Sequence, residues 1–355
     1  MDKILDIYTD YLICQNNYAT STGLSEMLCG SISHDQFTRF LNKKALGSKD
    51  LWEYVKPEVP RNEKQSDGVL ILDDSIEKKP YTDENEIMCW HYSHAKGRHV
   101  KGVNILSCLI RYGDISLPIG YEIIHKDIMF CDIASKKERK KASLTKNEHF
   151  RNLIKQSHRN KVLFDYVLSD NWFGAKDNLE YIHNLQKYFI VGIKSNRTIA
   201  LSEDDKKMGQ FQKVSSLTLE DGQSLKVWLK GIEFPVLLLK KVFINEDNST
   251  GVLYLVSNDL NHDAEHLYKI YQKRWRIETY HKSVKQNASL AKSPTKRVIS
   301  QSNHIFASII AFCKLEMLQL KTSLNHFALK YKLILRANQA AMTELQNLHK
   351  LLVAA

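Results

Sequence analysis

The chain has 355 residues, of which 43% are apolar and 26% charged, an ordinary globular composition that excludes wholesale disorder. At roughly 150 residues per domain, it is long enough for two or three domains with a sizeable core. Lysine and arginine total 51 against 40 acidic residues, a net charge of +11, which favours a polyanionic partner: nucleic acid or an anionic membrane surface.

The membrane alternative weakens on inspection. The longest apolar stretch, residues 305–313, is far short of the ~20 residues that a spanning helix needs. The N-terminus carries Asp2, Asp6 and Asp10 and no basic leader, so no signal peptide is expected. The six cysteines form no CxxC pair, so they are read as reduced, mostly buried thiols of a cytoplasmic protein rather than as a zinc or disulfide framework.

In chain order, residues 1–64 read as a helical region. Residues 20–29 form a short amphipathic helix closed by Gly30, and Ser33 opens a second helix with Gln36 as its capping-box partner. On that helix Phe37, Phe40 and Leu41 share one face, while Gln36, Arg39 and Lys43 share another. A helix pair whose second member has a polar, basic face suits a helix-turn-helix reader of DNA; a helical cap with a solvated face is the alternative. Residues 54–67, with two prolines and several charges, are expected to be a linker.

Strands follow. Residues 68–73 (GVLILD) form a short apolar run ending in acids. Residues 103–111 and 116–124 form a hairpin joined by Tyr112-Gly113-Asp114, with Pro118 marking an edge or bulge. Between the first two strands, HYSHAKGRHVK holds His91, His94 and His99. Without a Cys or acid at ligand spacing, zinc is disfavoured there against a basic loop touching DNA through Lys96, Arg98 and Lys101. Residues 136–161 hold ten basic side chains and two glutamates, first as a basic loop and then as a helix over 147–157 that turns Phe150, Leu153 and Ile154 inward. Residues 165–169 are a strand ending at Asp170, 175–185 a helix, and 188–193 a buried strand. Residues 201–258 read as a β insertion with strands at 224–229, 236–244 and 251–256, where Trp228 is either core or a base-stacking platform. From 264 onward the pattern is helical.

Two strand-like runs thus end in acids, at Asp73-Asp74 and at Asp170. A lone Asp past a strand is better explained as a turn former. Carboxylates gathered at strand ends, however, repel one another unless a hard cation such as Mg²⁺ or Mn²⁺ joins them. A third element adds weight. In YQKRWRIETYHKSVKQ, Tyr271, Arg274, Glu278 and Lys285 fall at about 0°, 300°, 340° and 320° on a helical wheel, one ~60° stripe, with Lys282 close by. From Tyr271 to Arg297 there are eight basic residues and one acid, Glu278. A metal ligand ringed by phosphate-binding cations competes here with a simple Arg274–Glu278 helix pair.

Tyr-x2-Arg-x3-Glu-x6-Lys resembles the signature of a large group of bacterial insertion-sequence DDE transposases, and Tyr271, Arg274, Glu278 and Lys285 match it at every spacing. Ile-Leu-Asp73-Asp74-Ser75 is similar to that family's first catalytic acid, with Asp74 chosen because it directly precedes the hydroxyl residue. Asp170 in Val-Leu-Ser-Asp-Asn is similar to the second. The 108-residue gap from Asp170 to Glu278 accommodates the subgroup's β insertion.

The resemblance covers residues 65–290. It implies an α/β, ribonuclease-H-like mixed-sheet core in two parts, 65–200 and 259–297, interrupted by the insertion 201–258 and flanked by the helical regions 1–64 and 298–355. It implies Asp74, Asp170 and Glu278 as ligands of two Mg²⁺ (or Mn²⁺) ions, and DNA contacts through Tyr271, Arg274 and Lys285; Lys282, close by on the same basic helix, is a further candidate contact. Its partners would be double-stranded terminal inverted repeats and target DNA, bound by a nucleoid-associated homodimer; the C-terminal helices, including residues 305–318, either contribute to the dimer contact or simply close the core. A ribonuclease-H-fold nuclease that does not join strands, and a non-catalytic DNA-binding protein from a decayed or domesticated element, are the competing readings.

Overall fold

The computed structural model describes residues 2–63, 68–93, 96–133 and 136–353. Helices α1 (Lys3–Cys14), α2 (Ser21–Met27), α3 (His34–Lys43), α4 (Ser48–Val55) and α5 (Val59–Asn62) come first. They are followed by strands β1 (Val69–Lys78), β2 (Cys89–Ser93), β3 (Arg98–Tyr112), β4 (Ile115–Ile123), β5 (Ile128–Asp132) and β6 (Lys137–Lys141). Next come α6 (Lys146–Arg159), β7 (Tyr166–Ser169), α7 (Lys176–Asn184), β8 (Tyr188–Ile193), β9 (Thr198–Ala200), α8 (Glu203–Lys207) and β10 (Gln212–Lys213). Strands β11 (Ser224–Leu229), β12 (Val236–Ile244) and β13 (Thr250–Ser257) precede α9 (Ala264–Gln272), α10 (Arg276–Gln286), α11 (Val298–Thr322) and α12 (His326–Val353).

The chain forms two compact units: an α/β unit of Lys56–Ile76 with Asn104–Glu278, and a largely helical unit of Met1–Val55, Glu77–Val103 and Thr279–Ala355. The α/β unit is built on a mixed sheet in the order β10-β9-β11-β12-β13-β8-β7-β1-β3, with β4 paired to β3. β1, β7 and β8 run parallel, and β9 to β13 are added antiparallel beyond β8. The parallel strands β7 and β8, and the first half of β1, are apolar almost throughout and buried, as strands covered on both faces must be. Helices α6, α7 and α9 pack on the sheet. α6 begins in a complete Thr145–Glu148 capping box and buries Phe150, Leu153 and Ile154, and Phe150 stacks on Phe173 at 4.8 Å. Each such buried side chain contributes roughly 1.5–3 kcal/mol.

The helical unit is organised by α11, which packs against α1, α3, α4 and α12. It is buried nearly all round, so residues 305–318 are largely enclosed within their own unit. Its polar residues are hydrogen-bonded inside: Asn303 donates to the carbonyls of Leu41 (2.9 Å) and Lys44 (2.8 Å) and accepts from the Leu46 N–H (2.8 Å), closing the C-terminus of α3. Within this unit β2 pairs antiparallel with the first residues of β3. There Gly102 is required by space, since a Cβ would meet the Glu77 carbonyl oxygen at 2.2 Å. No helix among the described residues is long and apolar enough to cross a membrane.

Several local expectations hold. The 224–229, 236–244 and 251–256 runs are β11, β12 and β13, the hairpin turns at Gly113 (φ 51°), and the β3–β4 register shifts at Cys108/Leu109, opposite Pro118–Gly120. Others are corrected. β1 does not stop at the acids but continues to Lys78, so Asp73 and Asp74 lie mid-strand. The basic stretch after 136 is a strand, β6, because β5 supplies a partner across which Arg139 pairs with Asp132 at 3.1 Å and Lys141 lies over the Phe130 ring. The 54–67 linker contains the end of α4 and the short helix α5; residues 64–67 lie outside the described residues. Ser33 does precede α3, but its side chain makes no capping bond among the described residues; the Gln36 N–H donates to the Ser33 carbonyl instead. The thiols divide evenly, Cys89, Cys108 and Cys313 buried and Cys14, Cys29 and Cys131 exposed.

Candidate active site

The parallel register Val69↔Tyr166, Leu70↔Val167, Ile71↔Leu168, carried two residues further, sets Asp73 beside Asp170. Consecutive strand residues face opposite sides, so Asp73 and Asp74 acquire different neighbours. Asp74 Oδ2 accepts from Lys146 Nζ at 2.7 Å and from Asn104 Nδ2 at 2.6 Å. Lys146 stands at the start of α6, and its ammonium lies 5.2 Å from the Trp172 ring centre. Asp73 Oδ1 accepts the Asp74 N–H at 2.8 Å, and its Oδ2 stands 3.7 Å from Arg274 Nη1. Asp170, directly after β7, accepts the Trp172 N–H at 3.0 Å.

Asp73 and Asp170 resist ionisation. Burial, then the charges of Asp170 and Asp74, push Asp73 up to about 7, with Arg274 pulling the other way. Burial also raises Asp170, partly offset by the Trp172 N–H and by Arg274.

The signature segment is not one continuous helix. A 3₁₀ turn, Lys273–Trp275, separates α9 from α10, so Tyr271, Arg274 and Glu278 stand on three successive elements. They nonetheless meet. The Arg274 guanidinium lies 5.7 Å from the centre of the buried Tyr271 ring, and its Nη2 is 3.0 Å from Glu278 Oε1. Burial pushes the Tyr271 phenol up to about 12. Arg274 is 12% exposed and Glu278 62% exposed, so the guanidinium bridges a half-buried acid, Asp73, and a solvated one.

Among the described residues, no group of three or more His, Cys, Asp or Glu side chains stands close enough to hold a metal ion. Glu278 is engaged by Arg274 rather than placed against the aspartates. The donor chemistry still fits a hard divalent cation. The carboxylates are all-oxygen and mutually repelling, and the buried Asn104 Oδ1 beside Asp74 has no hydrogen-bond partner among the described residues.

The remaining predicted contacts lie in the helical unit. Lys282 Nζ is 5.2 Å from the Phe327 ring centre, and Lys285 lowers the carboxyl of Glu77, which burial raises. Gln36, Arg39 and Lys43 are exposed on α3 and line an open groove of about 570 Å³ with Asp2, Ile4 and Phe40. Lys96 and Arg98 are exposed, His91 is buried, His99 packs edge-on against Tyr92, and His94 lies outside the described residues. Trp228 is half-buried on β11 under the Lys226 ammonium.

Sequence reasoning missed Asn104, Lys146 and Trp172. A signal existed for Asn104, the lone amide in the apolar run GVNILSCLI. Lys146 was one of ten basic residues in its stretch, and nothing in the order of residues distinguishes it.

The family described as DDE superfamily endonuclease matches residues 1–208, and the family described as Transposase DDE domain matches residues 137–313. No curated protein matches the chain. Among solved structures, the Drosophila P element transposase strand transfer complex is similar at 12% identity and a TM-score of 0.26, over 52% of this chain and 36% of that one. The chain therefore spans about a third of that protein.

Proposed function

Since the chain belongs to the DDE superfamily endonucleases, we propose that it is a transposase that cuts DNA at the terminal inverted repeats of an insertion sequence and joins the freed 3′-OH ends to target DNA. The reading is supported above all by the convergence on Arg274, which ties the acid-bearing strand β1 to the Tyr271–Glu278 segment within 3.7 Å. In this reading the mixed sheet is a ribonuclease-H-like core, extended by residues 201–258.

Asp74, Asp170 and Glu278 would hold two Mg²⁺ or Mn²⁺ ions. When bound, such ions activate the attacking oxygen and relieve charge on the leaving oxygen. The chain's own residues prepare that state. Asn104 keeps the Asp74 carboxylate fixed, and the Lys146 ammonium balances its charge in the place an ion would take. Glu278 leaves Arg274 to join the aspartates, and the released guanidinium, with Tyr271, grips the phosphate beside the cut. By resemblance Lys285 contacts the strand, and the nearby Lys282 adds to it; the polar, basic face of α3 (Gln36, Arg39 and Lys43) and the basic Lys96 and Arg98 contact DNA as well, with a second chain at the other end.

The test is cleavage of DNA carrying the inverted repeats that flank the gene. Cutting requires Mg²⁺ or Mn²⁺ and stops with Glu278→Gln, whereas DNA binding persists. Supplying precut ends separates the alternatives, because a plain nuclease yields no joined product. If the triple change of Asp74, Asp170 and Glu278 leaves divalent-ion binding unaltered, the chain is a non-catalytic DNA-binding protein.

A further inference from the structure

Strands β5 and β6 form a two-stranded sheet of their own. Their residues are exposed at every position except Asp132 and Lys140, which are half-buried. A ribbon of this size is marginal by itself in water. Local bonds hold it: the Ser143 N–H donates to Asp127 Oδ1 at 2.8 Å across its base, Arg139 pairs with Asp132, and the Lys141 ammonium lies 5.7 Å from the Phe130 ring centre. The ribbon nevertheless presents large apolar side chains to solvent, with Ile128, Met129 and Phe130 at 40%, 55% and 38% exposed.

Its two faces differ. Alternate residues of a strand point to opposite sides, and cross-strand partners share a side. The pairs Ile128↔Lys141, Phe130↔Arg139 and Asp132↔Lys137 therefore make one face, with three cations and one acid. Met129↔Lys140 and Cys131↔Glu138 make the other, whose charges cancel. On the first face the strands also divide the chemistry, because β5 supplies the apolar groups and β6 the cations. A surface apolar along one edge and basic along the other complements duplex DNA, where base edges and thymine methyls line the groove floor and phosphates its walls. The dimensions agree: the ribbon is about 17 Å long, and a two-stranded ribbon fits a major groove about 12 Å wide.

Its position selects the duplex. β6 ends at Lys141, and Lys146, five residues on, reaches Asp74 Oδ2 within the same compact unit. Five residues span at most about 18 Å, so the base of the ribbon is tethered beside the carboxylates of the candidate active site.

We propose that the β5–β6 ribbon enters the major groove of the duplex beside the bond to be cut, with Ile128 and Phe130 against the base edges and Lys137, Arg139 and Lys141 against the phosphates of one wall. This rests on the transposase reading and adds to it a grip on DNA separate from the Tyr271–Lys285 segment and from α3.

The experiment measures binding of the full-length chain, over a range of salt, to a duplex carrying the inverted repeat that flanks the gene and its adjoining base pairs. Lys137→Ala, Arg139→Ala and Lys141→Ala together should weaken binding and make the salt slope shallower by about 3, at about 0.9 per phosphate contact. Lys140→Ala, on the other face, should leave the slope unchanged. In the wild-type complex, guanine N7 atoms within about 10 base pairs of the cut should be protected from dimethyl sulfate. Phe130→Ala should expose them again, while guanines deeper in the repeat stay protected. An unchanged slope in the triple variant, a slope lowered as much per charge by Lys140→Ala, or wild-type guanines beside the cut that methylate as in free DNA overturns the role of the ribbon and leaves the transposase reading standing. A chain that binds no repeat DNA overturns both.

Discussion

Lys146 Nζ lies 2.7 Å from Asp74 Oδ2, and both side chains are about one-fifth exposed or less. A cation from the first turn of α6 thus occupies the acid that the transposase reading assigns to metal. Lys146→Met would leave a nearly buried carboxylate with only Asn104 as donor, and in chelator the variant should lose up to about 3 kcal/mol of stability. Mn²⁺ should then raise its melting temperature more than that of the wild type, because the ion no longer competes with an ammonium. Thermal melts with and without Mn²⁺ measure both effects, and equal shifts in the two proteins would sink the idea.

The two adjacent aspartates should respond oppositely to loss of charge. Asp73→Asn relieves repulsion from Asp170 and Asp74 and should hold or raise stability in chelator. Asp74→Asn breaks the Lys146 pair and should lower it. Urea unfolding of the two variants at one pH gives the signs directly.

Glu278→Gln keeps the shape of the side chain but removes its charge. Cleavage should fall by at least about 10²-fold, the scale on which loss of one transition-state contact acts. Circular dichroism should not change, since Glu278 is largely exposed. Single-turnover cutting of a repeat-bearing duplex reads this out.

Acid should loosen the helical unit through His304. This residue is fully buried, with Nε2 donating to the Ser289 carbonyl and Nδ1 bonded to the Tyr8 hydroxyl, each at 2.9 Å, so the uncharged ring is satisfied without bringing a charge into the core. Burial depresses its folded pKa to about 4, below the unfolded value near 6.5. The unfolded chain therefore binds the extra proton between those values, so this stability is intact above pH 6.5 and declines as pH falls toward 4, by about 3 kcal/mol in all. His326, also depressed to about 4 by burial, acts in the same sense. Chemical unfolding at pH 7 and pH 4.5 should show a smaller drop for His304→Gln than for the wild type.

Charge reversal on α3 tests the DNA-reading role of that helix. Arg39→Glu with Lys43→Glu should leave folding intact, as both side chains are exposed, and should weaken DNA binding with a salt slope shallower by about 2. An unchanged slope would make α3 a cap rather than a reader.

What could be read in advance followed from packing pattern. β8 and β11 to β13 are apolar or alternating runs between turn residues, and Phe150, Leu153 and Ile154 lie at helical spacing, so each announced its element. β6 did not, because a strand of mostly lysines and arginines carries no alternation and exists only through its pairing with β5. The 3₁₀ turn at Lys273–Trp275 was equally hidden, since a helical wheel assumes uniform winding. The Asp74–Asn104 and Asp74–Lys146 bonds join residues 30 and 72 positions apart, and only the folded sheet brings them together.

The antiparallel strands beyond β8 have one further consequence. β13 satisfies the backbone of a six-residue strand that is almost wholly apolar and would otherwise end the sheet. Excising residues 201–258 to obtain a minimal enzyme would bare that strand to pairing with other chains. Residues 201–258 thus cover the edge of β8, and a version trimmed of them should precipitate before it could be assayed.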